Sequence, residues 1–280
     1  MADIKIWTGA TSGVFNVAGN WSPSGVPVST DSIIYPKGAT VAATGYNASA
    51  ILLAAWTKEA GCAIAIGSQA VPMHIDADAV YYYGTGATYL QVDNCAAISA
   101  DQGDDLYLSG ASVTLLTANI ARGATLEIAN LTSQTFACTT ISLSGAGEAI
   151  LGAGVTMTTL NSSLATCANS SAATTINHSG GVFTHKAGAV TTVNSSYGTF
   201  KLDGTGTVTT LNKYTESLLD CSNGMQIRTI TTINAYSPRI KDPYKVITWT
   251  TLNLIRCGVG ATGGEFDLGQ HLTITRGVPA

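Results

Sequence analysis

Charge is what this sequence has least of. Among 280 residues, 13 are Lys or Arg and 17 are Asp or Glu. That 11% is well under half the ~25% of an average globular protein. Ionic groups cannot keep a long surface of such a chain soluble, so its outer faces are expected to carry hydroxyls and amides or to be covered by partner subunits. The net charge of −4 argues against a nucleic-acid partner, which selects a basic patch or stripe. Long apolar runs are also missing. The longest, Ala50 to Trp56, falls far short of the ~20 residues that cross a bilayer, so no membrane partner is expected. Residues 1–7 lack the apolar core of a secretory signal. The six cysteines, Cys62, Cys95, Cys138, Cys167, Cys221 and Cys257, stand singly without a C-x-x-C pair. This spacing points to small buried hydrophobes rather than a zinc or redox centre, and no metal or cofactor is expected. Good helix formers are scarce in the repeating part of the chain, which excludes an α-helical repeat.

The few charges are unevenly placed. Residues 1–185 hold four basic groups (Lys5, Lys37, Lys58, Arg122) against eleven acidic ones, whereas residues 186–280 hold nine basic against six acidic. If sequence maps onto a long axis, one end is acidic and the other mildly basic.

What the chain does have is a repeat. The phrase Thr-Thr-apolar-Asn ends at Asn161, Asn177, Asn194, Asn212, Asn234 and Asn253, at successive spacings of 16, 17, 18, 22 and 19 residues. Fainter copies are placed at Thr140-Ile141-Ser142, Thr117-Ala118-Asn119, Ile98-Ser99 and Ile75-Asp76, and downstream at Ile274-Thr275. Coils of this length with β-branched residues and Gly-rich turns such as Asp203-Gly204-Thr205-Gly206 describe a solenoid of short strands. The expected fold is therefore all-β, a right-handed parallel β-helix (β-solenoid) of about eleven coils, roughly 50 Å long at ~4.8 Å per stacked strand. Residues 41–254 are assigned to the solenoid, 1–40 to an N-terminal cap and 255–280 to a C-terminal cap or oligomerisation segment, since a solenoid needs closed ends. Strict alternation would place Val208, Thr210 and Asn212 on one face and Thr209 with Leu211 on the other. Leu211 and its equivalents then form an inner stack. The six Asn are expected to form a structural ladder of amides bonded from coil to coil.

The N-terminus carries Trp7-Thr8-Gly9, then Asn20-Trp21-Ser22, Gly25-Val26-Pro27 and Asp31-Ser32-Ile33-Ile34. This spacing resembles the opening of many bacterial and phage β-solenoid proteins, including autotransporter-like passengers and virion surface proteins. It covers about 30 residues, and in that context Trp7 and Trp21 are expected to act as a cap over the open end of the column. Exported members carry a signal peptide, whereas phage structural proteins are assembled in the host cytoplasm and carry none. The resemblance therefore implies a virion location, with the major capsid protein or another virion protein as partner. A capsid decoration or cement protein is the leading expectation, and a tail spike, fibre or other receptor-binding adhesin the alternative.

Catalysis is not expected, and no catalytic residue is assigned. Asp104-Asp105 and Arg239-Ile240-Lys241 resemble fragments of polygalacturonase motifs, but Asn-Thr-Asp and Gly-His-Gly are missing. Glycoside hydrolysis needs two carboxylates facing one bond. Between residues 123 and 185 the acidic groups are Glu127 and Glu148, and no Lys or Arg occurs. Asp76 with Asp78, and Asp101 with Asp104 and Asp105, are taken as solvated turn carboxylates rather than calcium ligands. Tyr81, Tyr82 and Tyr83 form the densest aromatic run. Their alternation puts at least one ring outside, which marks a possible interface. That run and the charge-poor stretch together point to a homo-oligomer, with a trimer suiting a column of triangular section.

Overall fold

The repeated phrase lies at the same place in each of the six coils that carry it. The computed structural model describes residues 2–255, apart from residues 132, 224 and 238, together with a short strand at Phe266–Leu268. Parallel strands stack as an all-β solenoid of about eleven turns. Among the described residues there is no α-helix, and the helical turn at Ala18–Asn20 is 3-10.

The strand Val155–Asn169 shows how one coil is built. Its first side runs to Met157, its second from Thr159 to Ser163 and its third from Thr166 to Asn169, and the chain re-enters the next coil at Ala173. The first corner lies at the leading Thr of the repeat. Cys138 pairs with Met157 and Thr140 with Thr159, while the ladder skips the residue between. The same gap recurs from Ala173↔Val190 to Thr175↔Thr192, and from Val208↔Ile230 to Thr210↔Thr232. At this convex bend two successive side chains point outward. Val208 and Leu211 are both buried, Thr209 is exposed and Thr210 is half-buried. Strict alternation is thus corrected at the corner: Val208 belongs to the core and Thr209 to the surface.

In several coils the second corner is turned by a left-handed glycine, whereas Leu164 and Ser217 hold the matching place in others. Gly198 has φ +76°, and a Cβ there would lie 2.2 Å from the carbonyl oxygen of Gly181, itself a left-handed glycine one coil away. Between these two coils the backbones pass too close for a side chain at Gly198.

Inside the second side, Val80, Ile98, Leu116, Ile141, Leu160 and Ile176 are successive register partners, and Val193, Leu211, Ile233 and Leu252 continue the column. All of these but the half-buried Leu252 are buried, and full burial of such an aliphatic contributes ~1.5–3 kcal/mol. Two of the fainter repeats are corrected. Leu116-Thr117, not Ala118-Asn119, and Val80-Tyr81, not Ile75-Asp76, occupy the column. Copies without the Asn offer more than one apolar residue to align on. Ile274-Thr275 lies outside the described residues, as does the 255–280 segment apart from Ile255 and Phe266–Leu268.

The parallel ladder also reaches into the first 40 residues. Ile4–Trp7 pairs in parallel with Ser32–Tyr35, which continues onto Asn47–Lys58. Trp21–Ser22 folds back antiparallel onto Ile6 and Trp7.

The interior is not wholly apolar. Lys58 is fully buried and donates to the carbonyls of Ile64 at 2.8 Å and Gly86 at 2.9 Å and to Thr88 Oγ1 at 3.0 Å. Lys213 donates to the carbonyl and hydroxyl of Ser237, and Arg228 to the carbonyls of Cys221 and Asn223. The carboxylate of Asp242 accepts from the backbone N–H of Val246 and Ile247. These charges are spent on turn backbones, which a column with changing turns would otherwise leave unpaired.

Candidate functional site

The six Asn of the repeat stand in one outward column on the second side. Asn177, Asn194, Asn212, Asn234 and Asn253 each donate from Nδ2 to the Oδ1 of the Asn one coil earlier, at 2.8–2.9 Å. Asn161 closes the row by donating to Ser142 Oγ at 3.0 Å. The Asn side chains are half-buried except at Asn253, which is exposed. Each central amide both donates and accepts along the axis, so much of its hydrogen-bonding capacity is used within the column.

Beside the Asn column runs the second Thr of the repeat. These two outward columns continue without a charged side chain over eleven rungs, from Ala55 and Thr57 through Ala79 and Tyr81 to Thr251 and Asn253. At ~4.8 Å per rung, this side is roughly 50 Å long. Near its C-terminal end the rings of Tyr214 and Tyr236 stack at 5.1 Å.

Trp7 and Trp21 meet at the N-terminal end, edge to face at 5.1 Å, both buried. Their indole N–H groups donate to the carbonyls of Val41 and Phe15. Phe15, Tyr35 and Trp56 extend the cluster. No sugar-facing indole surface remains, because both rings are enclosed.

Tyr82 points inward, with Lys58 Nζ 5.1 Å from its ring centre, while Tyr81 and Tyr83 point outward and are 39% and 37% exposed. Cys62, Cys95, Cys138, Cys167 and Cys221 are buried free thiols, and Cys257 lies outside the described residues. Burial pushes Cys95 and Cys138 up to about 11.

Some of the acidic residues brace backbone and others pair with side chains. Asp104 accepts from the N–H of Gly86 and of Asp105, and Asp105 accepts from the N–H of Thr125. Asp101 accepts from Asn119, and Asp93 meets His74 at 2.5 Å. Burial and the neighbouring Asp93 raise the Asp76 carboxyl. No group of three or more His, Cys, Asp or Glu that could hold a metal ion occurs among the described residues. His178 and His185 are interior. His178 bonds Ser195 Oγ at 2.9 Å, Ser195 in turn meets Ser217, and His185 meets Asn169. Burial lowers the affinity of both imidazoles for a proton.

The third side holds a cleft that the repeat does not announce. Tyr89 and Tyr107 are register partners on adjacent rungs, and their rings stack at 4.2 Å and 4°. Glu127 follows in the same column. After Ile128 the chain leaves the coil in a loop with Ala129 and Ser133 in the left-handed region. Asn130 Nδ2 donates to Glu127 Oε2 at 2.9 Å, and the N–H of Leu131 donates to Gln134 Oε1 at 3.3 Å. With Gln69 from the turn fastened by Ser68 and Val71, these groups line a cavity of about 200 Å³. Burial first, then the Tyr89 hydroxyl and the nearby Asp105 and Glu127, push the Tyr107 phenol up to about 12. Comparison with known proteins returns no matching family model, curated protein or solved structure.

Proposed function

We propose that this chain is a structural protein of a phage virion, a capsid decoration or cement protein that docks on the shell as a homo-oligomer, most simply a trimer. The observation that carries the reading is the second side: eleven rungs whose two central outward columns hold no charge and whose Asn amides are bonded to one another. Such a face has no ionic hydration to lose when covered, and it is long and straight enough to pack against the same face of other copies around a closed axis. A trimer would leave the end surfaces and turns free to meet the shell. The unequal charge of the two halves of the sequence gives the column distinct ends for a directional attachment. We assign the protein no catalytic role, because Asp104 and Asp105 are engaged by backbone N–H groups.

Light scattering at micromolar concentration is expected to return a multiple of 28.7 kDa, and particles carrying the protein are expected to show ordered density for it on the shell. A monomer in solution together with particles lacking that density would defeat the reading. A trimer without capsid binding would shift the assignment to a tail spike, fibre or other receptor-binding protein. The observation favouring that second reading is the tyrosine-floored cleft on the third side.

A further inference from the structure

The cleft between Gln69 and Gln134 combines features that select one kind of ligand. Its floor holds the two stacked tyrosines, its wall the Glu127 carboxylate, and its rim the amides of Gln69, Asn130 and Gln134 with the apolar side chain of Leu131. Planar amides and a carboxylate bond adjacent hydroxyls in pairs, and phenol hydroxyls supply both a donor and an acceptor. Aromatic edges and Leu131 offer surface to C–H groups. Among the described residues no cation lines the cavity, and Asp105 is a second acidic neighbour of Tyr107 beside Glu127. A phosphate, sulfate or uronate would meet repulsion without a compensating charge.

We propose that this cleft binds one ring of a neutral saccharide, with Glu127, Tyr107 and Gln134 bonding its hydroxyls. The size agrees, because about 200 Å³ is below the ~300–1,000 Å³ of sites that enclose drug-sized ligands. The support is also built in advance. Glu127 is oriented by Asn130, Gln134 is tied to the backbone of Leu131, and Tyr107 is held by its stack with Tyr89. Two non-glycine residues in the left-handed region, Ala129 and Ser133, shape the loop that forms the rim. Backbone conformations of this cost are retained at ligand-holding sites. Among the described lining residues Glu127 has no second carboxylate beside it, so the site is assigned binding and not hydrolysis. The proposal is independent of the trimer, since the cleft is on the third side and the uncharged columns are on the second.

The test is saturation-transfer NMR and calorimetry of the full chain with glucose, galactose, mannose, N-acetylglucosamine and short neutral oligosaccharides, with glucuronate and galacturonate as acidic counterparts. At least one neutral sugar is expected to bind with a millimolar or tighter Kd, and the uronates at least tenfold more weakly. Tyr107→Phe keeps the ring stack and removes one hydroxyl, and Glu127→Gln keeps the shape and removes the charge. Each is expected to weaken the neutral sugar by about tenfold while the thermal midpoint stays near that of the parent. No binding across the panel, binding unchanged in both variants, or tighter binding of uronates would overturn the proposal.

Discussion

At the scale of the residue, the Asn column sets the first expectation. Asn194 donates to Asn177 and accepts from Asn212. Replacing it with Ala strands one acceptor and one donor, but water reaches this half-buried column and substitutes in part. The expected cost is therefore at the modest end, ~0.5–1.5 kcal/mol, read as a lower urea midpoint at unchanged slope. An unaltered midpoint would mean that the ladder is decorative. Histidine supplies the second expectation. His178 and His185 are buried among Ser195, Asn169, Phe183, Phe200 and backbone carbonyls, and burial depresses the proton affinity of each ring. The unfolded chain binds those protons near pH 6.5 and the folded chain does not, so stability is complete above that value and falls as pH drops through it. The loss is expected at up to ~1.4 kcal/mol per pH unit for each ring until the buried ring itself titrates. Denaturant midpoints measured from pH 7.5 to 5, with a His178→Gln His185→Gln double variant showing a flatter profile, check this.

At the scale of the element, the two corners of each coil are made by different chemistry. The first tolerates Thr because the bend points its side chain to solvent; the second, at Gly198, uses a left-handed glycine set against the Gly181 carbonyl. Gly198→Ala is expected to cost ~2 kcal/mol or more, from the left-handed backbone alone at ~1–2 kcal/mol and from the clash with the Gly181 oxygen. Thr209→Ala, at the first corner, is expected to change stability by less than ~0.5 kcal/mol. Comparing the two thermal midpoints tests the distinction. These elements also show what the sequence made legible. Leu211 and Asn212 could be placed because one phrase recurs in six successive stacked strands. Val208 and Thr209 were misplaced because a period of two holds only while a strand is straight, and nothing in the local composition marks the bend. Lys58, Lys213 and Arg228 could not be foreseen in the core, since their partners are turn carbonyls and hydroxyls 5–30 residues away and no sequence pattern encodes those contacts. Tyr89, Tyr107 and Glu127 were missed for a related reason. They meet across rungs in the half of the chain where the Asn of the repeat is replaced and the register cannot be counted.

At the scale of the whole molecule, the proposed assembly face makes an ionic-strength prediction. Contacts between Thr, Asn and tyrosine columns are not screened, so the oligomer mass is expected to be the same in 0.05 M and 0.5 M salt. Thr192→Lys places one charge in the middle of the second side, repeated in every copy. It is expected to give a folded monomer by light scattering, with a circular dichroism spectrum like that of the parent. A salt-sensitive oligomer that tolerates Thr192→Lys would place the interface on another side.

The Asn ladder keeps an even axial step although the chain spends 16 to 22 residues between its members. Contour length and axial length are thereby uncoupled: extra residues go sideways into turns, and only whole coils add height. Such a column behaves as a ruler with marks ~4.8 Å apart. Excision of residues 178–194 should bring Ser195 directly after Asn177 and let Asn212 bond to Asn177, leaving a folded column one mark shorter. Small-angle scattering that registered a thinner column of the same height, or no folded species at all, would show that the marks are not interchangeable. If they are, this architecture can reach a given height above a surface by counting coils, with each insertion between marks free to vary.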